Sequence, residues 1–194
     1  MMKTTSKTII LGSNSPRRKE LLAALGFDFK VDTGNSFEEI YDKNTPHDKI
    51  PEVLSEGKSH GFHRELSNNE ILITSDTLVL CGDQVMGKPH SREEAFRMLS
   101  LLSDNTHKVI TAVTIRDRER TVTRSDVATV HFRKLTDDEI NWYIDHYKPF
   151  DKAGAYGIQE WIGYIGIDRI EGSFFTIMGL PVHLVYSLLK EFLL

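Results

Sequence analysis

Two hydrophobic periods alternate along the chain. Thr8-Ile9-Ile10-Leu11 is a short continuous apolar run, the mark of a buried strand, and Lys19-Glu20-Leu21-Leu22-Ala23-Ala24-Leu25 after it has helical spacing. Between them Gly12-Ser13-Asn14-Ser15-Pro16-Arg17-Arg18 is a strand-to-helix turn. Ser15 suits the N-cap, Pro16 the first helical position and Gly26 a left-handed C-cap. Asp28 to Val31 reads as a strand and Asp32 to Pro46 as a polar loop. A helix is expected from about His47 to Glu65, with Ile50, Val53, Leu54 and Lys58 facing inward. Ile71 to Cys81 is apolar on both sides of a polar interruption, Ser75-Asp76-Thr77, and predicts a strand that turns at Gly82-Asp83. Ser91 with Glu94, and Thr136 with Glu139, are capping boxes. They open helices whose inward faces carry Ala95, Met98, Leu99 and Leu102 in the first, and Ile140, Tyr143, Ile144 and Tyr147 in the second. His107 to Arg116 and Arg120 to Phe132 form an antiparallel pair across Asp117 to Glu119. A glycine-rich stretch, Pro149 to Gln159, can let backbone approach a ligand closely. Gly179-Leu180-Pro181 then leads into a last helix packed through Leu184, Val185, Leu188, Leu189 and Phe192. Strands alternating with helices, and one antiparallel pair among them, predict an α/β fold with a mixed sheet.

Composition narrows the class. A chain of 194 residues, 40% of them hydrophobic, can bury a full core and is read as a single domain over 1–194 with two lobes. A net charge of −4 argues against a general nucleic-acid or anionic-membrane binder, while leaving room for a local basic pocket. No run reaches the length of a membrane span, and the apolar residues after Lys3 and Lys7 are too few for a secretory leader, so a cytoplasmic protein is expected. The lone Cys81, beside Leu78-Val79-Leu80, reads as a core thiol. The eight histidines show no metal-ligand spacing, and His60 and His63, three apart on the predicted helix, read as surface residues.

Three features carry candidate chemistry. Arg17 and Arg18 occupy a helical first turn, where acidic residues are normally favoured. That placement makes sense if a phosphate sits at the helix start, gripped by backbone N–H groups, a Ser13 or Ser15 hydroxyl and a guanidinium fork; the plainer alternative is a capped helix with solvated arginines. Lys58, on a predicted apolar face, needs an anionic partner unless its stem carries the ammonium out to water. Asp76 lies between two apolar segments, where an unpaired carboxylate is costly, and so needs a metal ion or a hydrogen-bond network; the alternative is a strand-end turn cap.

Together Ser13-Asn14-Ser15-Pro16-Arg17-Arg18, Phe37-Glu38-Glu39, Lys58, Ser75-Asp76-Thr77, Gly87-Lys88-Pro89, Ile110-Thr111-Ala112-Val113, Asp151-Lys152-Ala153-Gly154-Ala155-Tyr156-Gly157-Ile158-Gln159 and Gly179-Leu180-Pro181 resemble the Maf family in order and spacing over nearly the whole chain. The resemblance implies a nucleoside triphosphate pyrophosphatase, releasing the nucleoside monophosphate and pyrophosphate. It also implies a fold like that of the inosine triphosphate pyrophosphatases, an elongated mixed sheet flanked by helices with two lobes and a central cleft, a divalent metal cofactor (Mg²⁺ or Mn²⁺), and commonly a homodimer. The chain departs from the family at Ser75, where Ala is usual, at Glu160, where Gly is usual, and at Gly57, where a larger residue is common. None of these removes a charged group.

The resemblance assigns Asp76 to activating the attacking water and Glu39 to the same metal site. Arg17, Arg18, Lys58 and Lys88 would hold the triphosphate, with a hydroxyl contact from Ser13. Arg17, Thr77 and Gln159 mark the branch that resembles dTTP and UTP pyrophosphatases, and the Gln159 amide offers one donor and one acceptor to a uracil or thymine edge. Two other functions stay open at this point: a purine-directed, house-cleaning pyrophosphatase of the inosine triphosphate type, and a non-catalytic phosphate- or nucleic-acid-binding regulator of cell division.

Overall fold

The apolar runs become strands β1 (Thr8–Leu11), β2 (Phe29–Val31), β3 (Glu70–Cys81), β4 (Gln84–Met86), β5 (Thr106–Arg116), β6 (Thr121–Phe132) and β7 (Ile167–Glu171). The helices are α1 (Pro16–Ala24), α2 (Ile50–His60), α3 (Arg92–Leu102), α4 (Asp137–Tyr147), α5 (Trp161–Gly166), α6 (Phe174–Met178) and α7 (Val182–Leu193). This structure, a computed structural model, describes residues 7–193, so most of the segment on which the leader was judged lies outside the described residues. No helix among the described residues is long and apolar enough to cross a membrane.

The strands form one seven-stranded mixed sheet in the order β2-β1-β3-β5-β6-β7, with β4 paired to β3. β1 runs parallel to both β2 and β3, setting Ile9, Ile10 and Leu11 beside Ile71, Leu72 and Ile73. All six are buried. Both faces of these parallel strands are covered, so they read as unbroken apolar runs rather than alternating ones. β4 and β7 pair antiparallel with β3 and β6. The expected α/β class with a mixed sheet is thus the observed one.

The chain divides into two compact units. One takes its described residues from Met1–Asp76, Thr111–Asp126 and Gly179–Leu194, and the other from Thr77–Ile110 and Val127–Met178. In the first, Ile10, Leu72, Phe62 and Leu66 form a buried cluster, and α7 buries Val185, Leu188, Leu189 and Phe192. In the second, α3 buries Ala95, Leu99 and Leu102 and packs on α4, whose Ile140, Tyr143 and Ile144 are buried. Tyr147 lies at the edge of that stripe and is half exposed, not inward. The Thr136–Glu139 capping box forms in full.

The helix expected to run from His47 to Glu65 is shorter. A tight turn, His47–Lys49, leads into α2, which ends at His60. Beyond it the chain pairs with an earlier loop instead of coiling on: the Ser36 N–H bonds the Gly61 carbonyl at 2.9 Å, and Asn35 and Phe62 form an isolated antiparallel bridge. His63 therefore stands off the helix, against Asp32 at 3.0 Å. Val53 is exposed rather than inward. The inward face of α2 is turned toward Ser55, whose hydroxyl contacts the Thr74 carbonyl at 3.2 Å and the Thr114 hydroxyl at 2.9 Å.

At the start of β3, Glu70 accepts both Arg64 guanidinium nitrogens at 2.7 and 3.0 Å and the Ser67 N–H at 2.9 Å. The Arg64 bonds, and then the Ser67 backbone, hold its carboxyl down at about 2. A carboxyl depressed in the folded state stabilises above its unfolded pKa and loses that contribution as pH falls through the folded value. Chemical denaturation of wild type and Glu70→Gln across pH is therefore expected to show a gap that is full above about pH 5 and closes by about pH 2. A gap independent of pH would contradict the ion-pair origin.

Candidate active site

The site in the first unit begins at the turn from β1 into α1. The Ser15 hydroxyl caps the helix through the Arg18 N–H, Pro16 takes the first turn, and Gly26 has the left-handed φ of 78°. No acidic residue lies in that first turn. Ser13, itself buried, accepts the Ser15 N–H at 3.2 Å and an Arg18 Nη1 hydrogen at 3.4 Å. Arg18 Nε in turn donates to the Gly179 carbonyl at 2.9 Å. Arg18 is thus fixed by Ser13 and by backbone. Burial lowers its pKa, the Asp76 charge opposes that most, neighbouring Arg17 adds to it and Glu39 again opposes.

The polar interruption of β3 is held from both sides. Thr74, Ser75 and Asp76 are all buried. Thr74 Oγ1 donates to the Ser55 carbonyl at 2.7 Å, and Ser75 Oγ to the Gly179 carbonyl at 3.3 Å. Asp76 receives the Lys58 ammonium at 2.6 Å, and that ammonium also lies 2.9 Å from Glu39 Oε1. Lys58 and Asp76 side chains keep only 19% and 12% of their exposure, whereas Glu39 keeps 56%, so the outer carboxylate is the one open to water. Both carboxylates thus meet on the one ammonium. Among the described residues, no set of three or more His, Cys, Asp or Glu side chains is grouped to hold a metal.

Glu39 reaches Lys58 because its loop is fastened along the end of α2. Asn35 Nδ2 donates to the Lys58 carbonyl at 2.6 Å, and the Phe37 N–H to Asn35 Oδ1 at 2.7 Å. Phe37 lies against two glycines, its ring on Gly57 and its Cβ and backbone on Gly61. A Cβ on Gly57 would stand 2.2 Å from its Cζ, and one on Gly61 would stand 2.5 Å from its Cβ. Only bare backbone leaves room for that ring.

In the second unit, Lys88 is exposed in the loop between β4 and α3. That loop is tied to the glycine-rich stretch by Gly154 N–H to Gly87 carbonyl, 3.0 Å. Thr77 is half-buried on β3. Gln159 has its side-chain Oε1 buried with no hydrogen-bond partner among the described residues, while its backbone carbonyl accepts the Tyr164 hydroxyl at 2.8 Å. The structure therefore gathers Ser13, Arg17, Arg18, Glu39, Lys58 and Asp76 in one unit, and carries Lys88, Thr77 and Gln159 on the other. Sequence reasoning passed over the pair of buried Lys152 with half-buried Glu160, 3.1 Å apart. The signal was there: the intervening Ala153-Gly154-Ala155-Tyr156-Gly157-Ile158-Gln159 holds no other charge, so the two ends of the stretch offer each other a partner.

A family model described as Maf-like protein matches residues 8–192. The dTTP/UTP pyrophosphatase of Parabacteroides distasonis is 49% identical over 184 residues, covering 95% of each chain. That of Porphyromonas gingivalis strain W83 is 47% identical over 186 residues, covering 95% of this chain and 94% of its own. That of Bacteroides thetaiotaomicron is 45% identical over 183 residues, covering 94% and 95%. Among solved structures, a HAM1 protein from Coxiella burnetii aligns with a TM-score of 0.49 at 14% identity over 95% of this chain and 99% of that one, a likeness too slight to carry weight.

The seat under Phe37 can be tested by a mutant cycle. Gly57→Val is expected to cost about 1–3 kcal/mol through overpacking, and much of that loss is expected to return in Gly57→Val/Phe37→Ala, read by chemical denaturation. Additive losses would mean that the ring does not rest on Gly57.

Proposed function

The chain belongs to the Maf family, and from that premise we propose that it hydrolyses dTTP and UTP to the nucleoside monophosphate and pyrophosphate. The observation that carries the reading is the buried Asp76 carboxylate, held by Lys58 beside Glu39, with Arg18 in the field of both acids. The reported relatives, all named dTTP/UTP pyrophosphatase, supply the substrate class. Neither the purine-directed alternative nor the non-catalytic one is favoured, and a binding module has no use for a desolvated carboxylate at its centre.

Hydrolysis at the α-phosphorus needs a water held in line, a group to take its proton, and cations for the charge that gathers on the leaving pyrophosphate. Asp76 is assigned the proton. Water oxygen bonds to the α-phosphorus as the bond to the bridging oxygen breaks, and the electron pair leaves with pyrophosphate. Arg17, Arg18 and Lys58 are assigned to the phosphates. Ser13 accepts two N–H groups in this structure, and its hydroxyl proton is assigned to a phosphate oxygen. Lys88 is assigned to phosphate and Thr77 to the base by the family motif.

The donor set suits a hard divalent cation. Asp76 and Glu39, which share the Lys58 ammonium, would supply the carboxylate oxygens, and Mg²⁺ or Mn²⁺ commonly takes one or two protein carboxylates with phosphate and water. Such an ion, when bound, would neutralise phosphate charge at the reacting centre. Gln159 is assigned the base. Its Oε1, buried and without a hydrogen-bond partner among the described residues, is an acceptor suited to the imide N–H of uracil or thymine, and its amide N–H can donate to a flanking carbonyl. The reading extends to one pyrophosphatase domain over the whole chain, cytoplasmic and homodimeric as the family resemblance implies.

Asp76→Asn is expected to fold as wild type and lose about a hundredfold to ten-thousandfold in pyrophosphate release. Retention of more than a few per cent would make Asp76 structural. Across dTTP, UTP, dCTP, ATP and GTP, the first two are expected to have the highest kcat/KM, and a preferred purine would overturn the substrate assignment. Lys58→Ala and Lys88→Ala are each expected to weaken nucleotide binding by about tenfold or more, whereas unchanged affinity would remove them from the phosphate site.

A further inference from the structure

The loop that carries Gln159 is held by a buried polar chain which the pyrophosphatase reaction does not itself require. Glu160, directly after Gln159, keeps 17% of its side-chain exposure and Lys152 only 8%. Glu160 Oε1 lies 3.1 Å from the Lys152 ammonium, which also meets Asp151 at 2.7 Å. The other Glu160 oxygen, Oε2, accepts the hydroxyl of Tyr143, a residue of α4 with no exposed surface. That hydroxyl in turn accepts the Gly157 N–H at 3.0 Å. Burial, and next the Glu160 bond, push the Tyr143 pKa far above its ordinary value, so it stays a donor.

The chain ends where it matters for the amide. Gly157 carbonyl accepts the Glu160 N–H at 3.0 Å, closing a turn over residues 157–160 with Gln159 inside it. A Cβ on Gly157 would lie 2.8 Å from Glu160 Cδ and 3.1 Å from Gln159 Nε2, so both side chains press on the same bare backbone. On the far side, the Tyr164 hydroxyl holds the Gln159 carbonyl. Inside this clamp Gln159 Oε1 is buried and unpartnered among the described residues. A buried acceptor without a donor costs free energy, and it keeps one orientation only if its surroundings hold it there.

We propose that Glu160, together with Tyr143 and Lys152, positions the Gln159 amide and so sets how sharply the enzyme separates uracil and thymine from cytosine. The proposal rests on the assignment of Gln159 to the base. Uracil brings an N–H to the ring position facing Oε1, and cytosine brings a lone pair there. A fixed amide rejects cytosine because Oε1 and the ring nitrogen would both stay unpaired. An amide free to rotate by half a turn presents its N–H instead, and the penalty falls away. Glu160, Tyr143 and Lys152 are positioning residues, with no contact to the nucleotide required of them.

The test compares UTP and CTP as substrates of wild type, Gln159→Ala, Glu160→Gln, Tyr143→Phe and Glu160→Gln/Gln159→Ala, with kcat, KM and thermal midpoint measured for each. Glu160→Gln keeps the shape and removes the charge, and Tyr143→Phe removes one hydroxyl only. Gln159→Ala is expected to narrow the UTP/CTP ratio of kcat/KM by about tenfold or more. Glu160→Gln and Tyr143→Phe are each expected to narrow it severalfold, chiefly through a lower KM for CTP as that penalty falls away, with UTP weakened less. The double variant is expected to go no further than Gln159→Ala alone. If Gln159→Ala narrows the ratio while Glu160→Gln and Tyr143→Phe lower both substrates equally or neither, Glu160 only supports the fold and the proposal fails. If Gln159→Ala itself leaves the ratio unchanged, the base assignment fails, and this proposal with it.

Discussion

One ammonium between two carboxylates is the constraint around which the first unit is arranged. Asp76 sits in the middle of an apolar strand, where a lone carboxylate would face a desolvation cost of several kcal/mol. Lys58 makes the placement tolerable, but Lys58 is itself largely covered and brings the same requirement with it. Glu39 meets part of that requirement from the solvent side. The three charges are interdependent: removal of Lys58 strands Asp76, and withdrawal of Glu39 leaves the ammonium with one partner. Such a cluster is weak evidence for stability and stronger evidence for a site, because a well-packed apolar trio would serve a core as well.

The surrounding structure follows from holding those charges. Ser55 turns α2 so that Lys58 projects at β3, and Thr74 answers with a bond to the Ser55 carbonyl. The Gly179 carbonyl takes both Arg18 and Ser75, so the segment entering α7 ties the helix start of α1 to the strand that carries Asp76. Phe37 on its two glycines brings Glu39 in. In the second unit the same logic recurs with different residues, where Lys152, Glu160 and Tyr143 satisfy one another and hold the Gln159 turn.

What was legible in the chain was what depends on neighbours in sequence. The cap at Ser15, the glycine after Leu25 and the Thr136–Glu139 box are local devices, and each forms as read. The two-sided burial of β1 and β3 shows as unbroken apolar runs. What was illegible depends on distant partners. The end of α2 at Gly61 is decided by residues 34–37, which take its backbone bonds, and the exposure of Val53 by Ser55 seeking Thr74 and Thr114. β4, β7 and α6 are too short to show a period. Lys58 needed a partner on any reading, but that it would find two, one from a loop about twenty residues upstream, is a tertiary fact.

The central claim is that water attacks the α-phosphorus of a pyrimidine nucleoside triphosphate. Hydrolysis of UTP in water enriched in oxygen-18, followed by mass spectrometry of both products, tests it directly. The account predicts one heavy oxygen in UMP and none in pyrophosphate. Heavy oxygen in pyrophosphate with unlabelled UMP would mean attack at the β-phosphorus, and release of inorganic phosphate with UDP would mean a different reaction altogether.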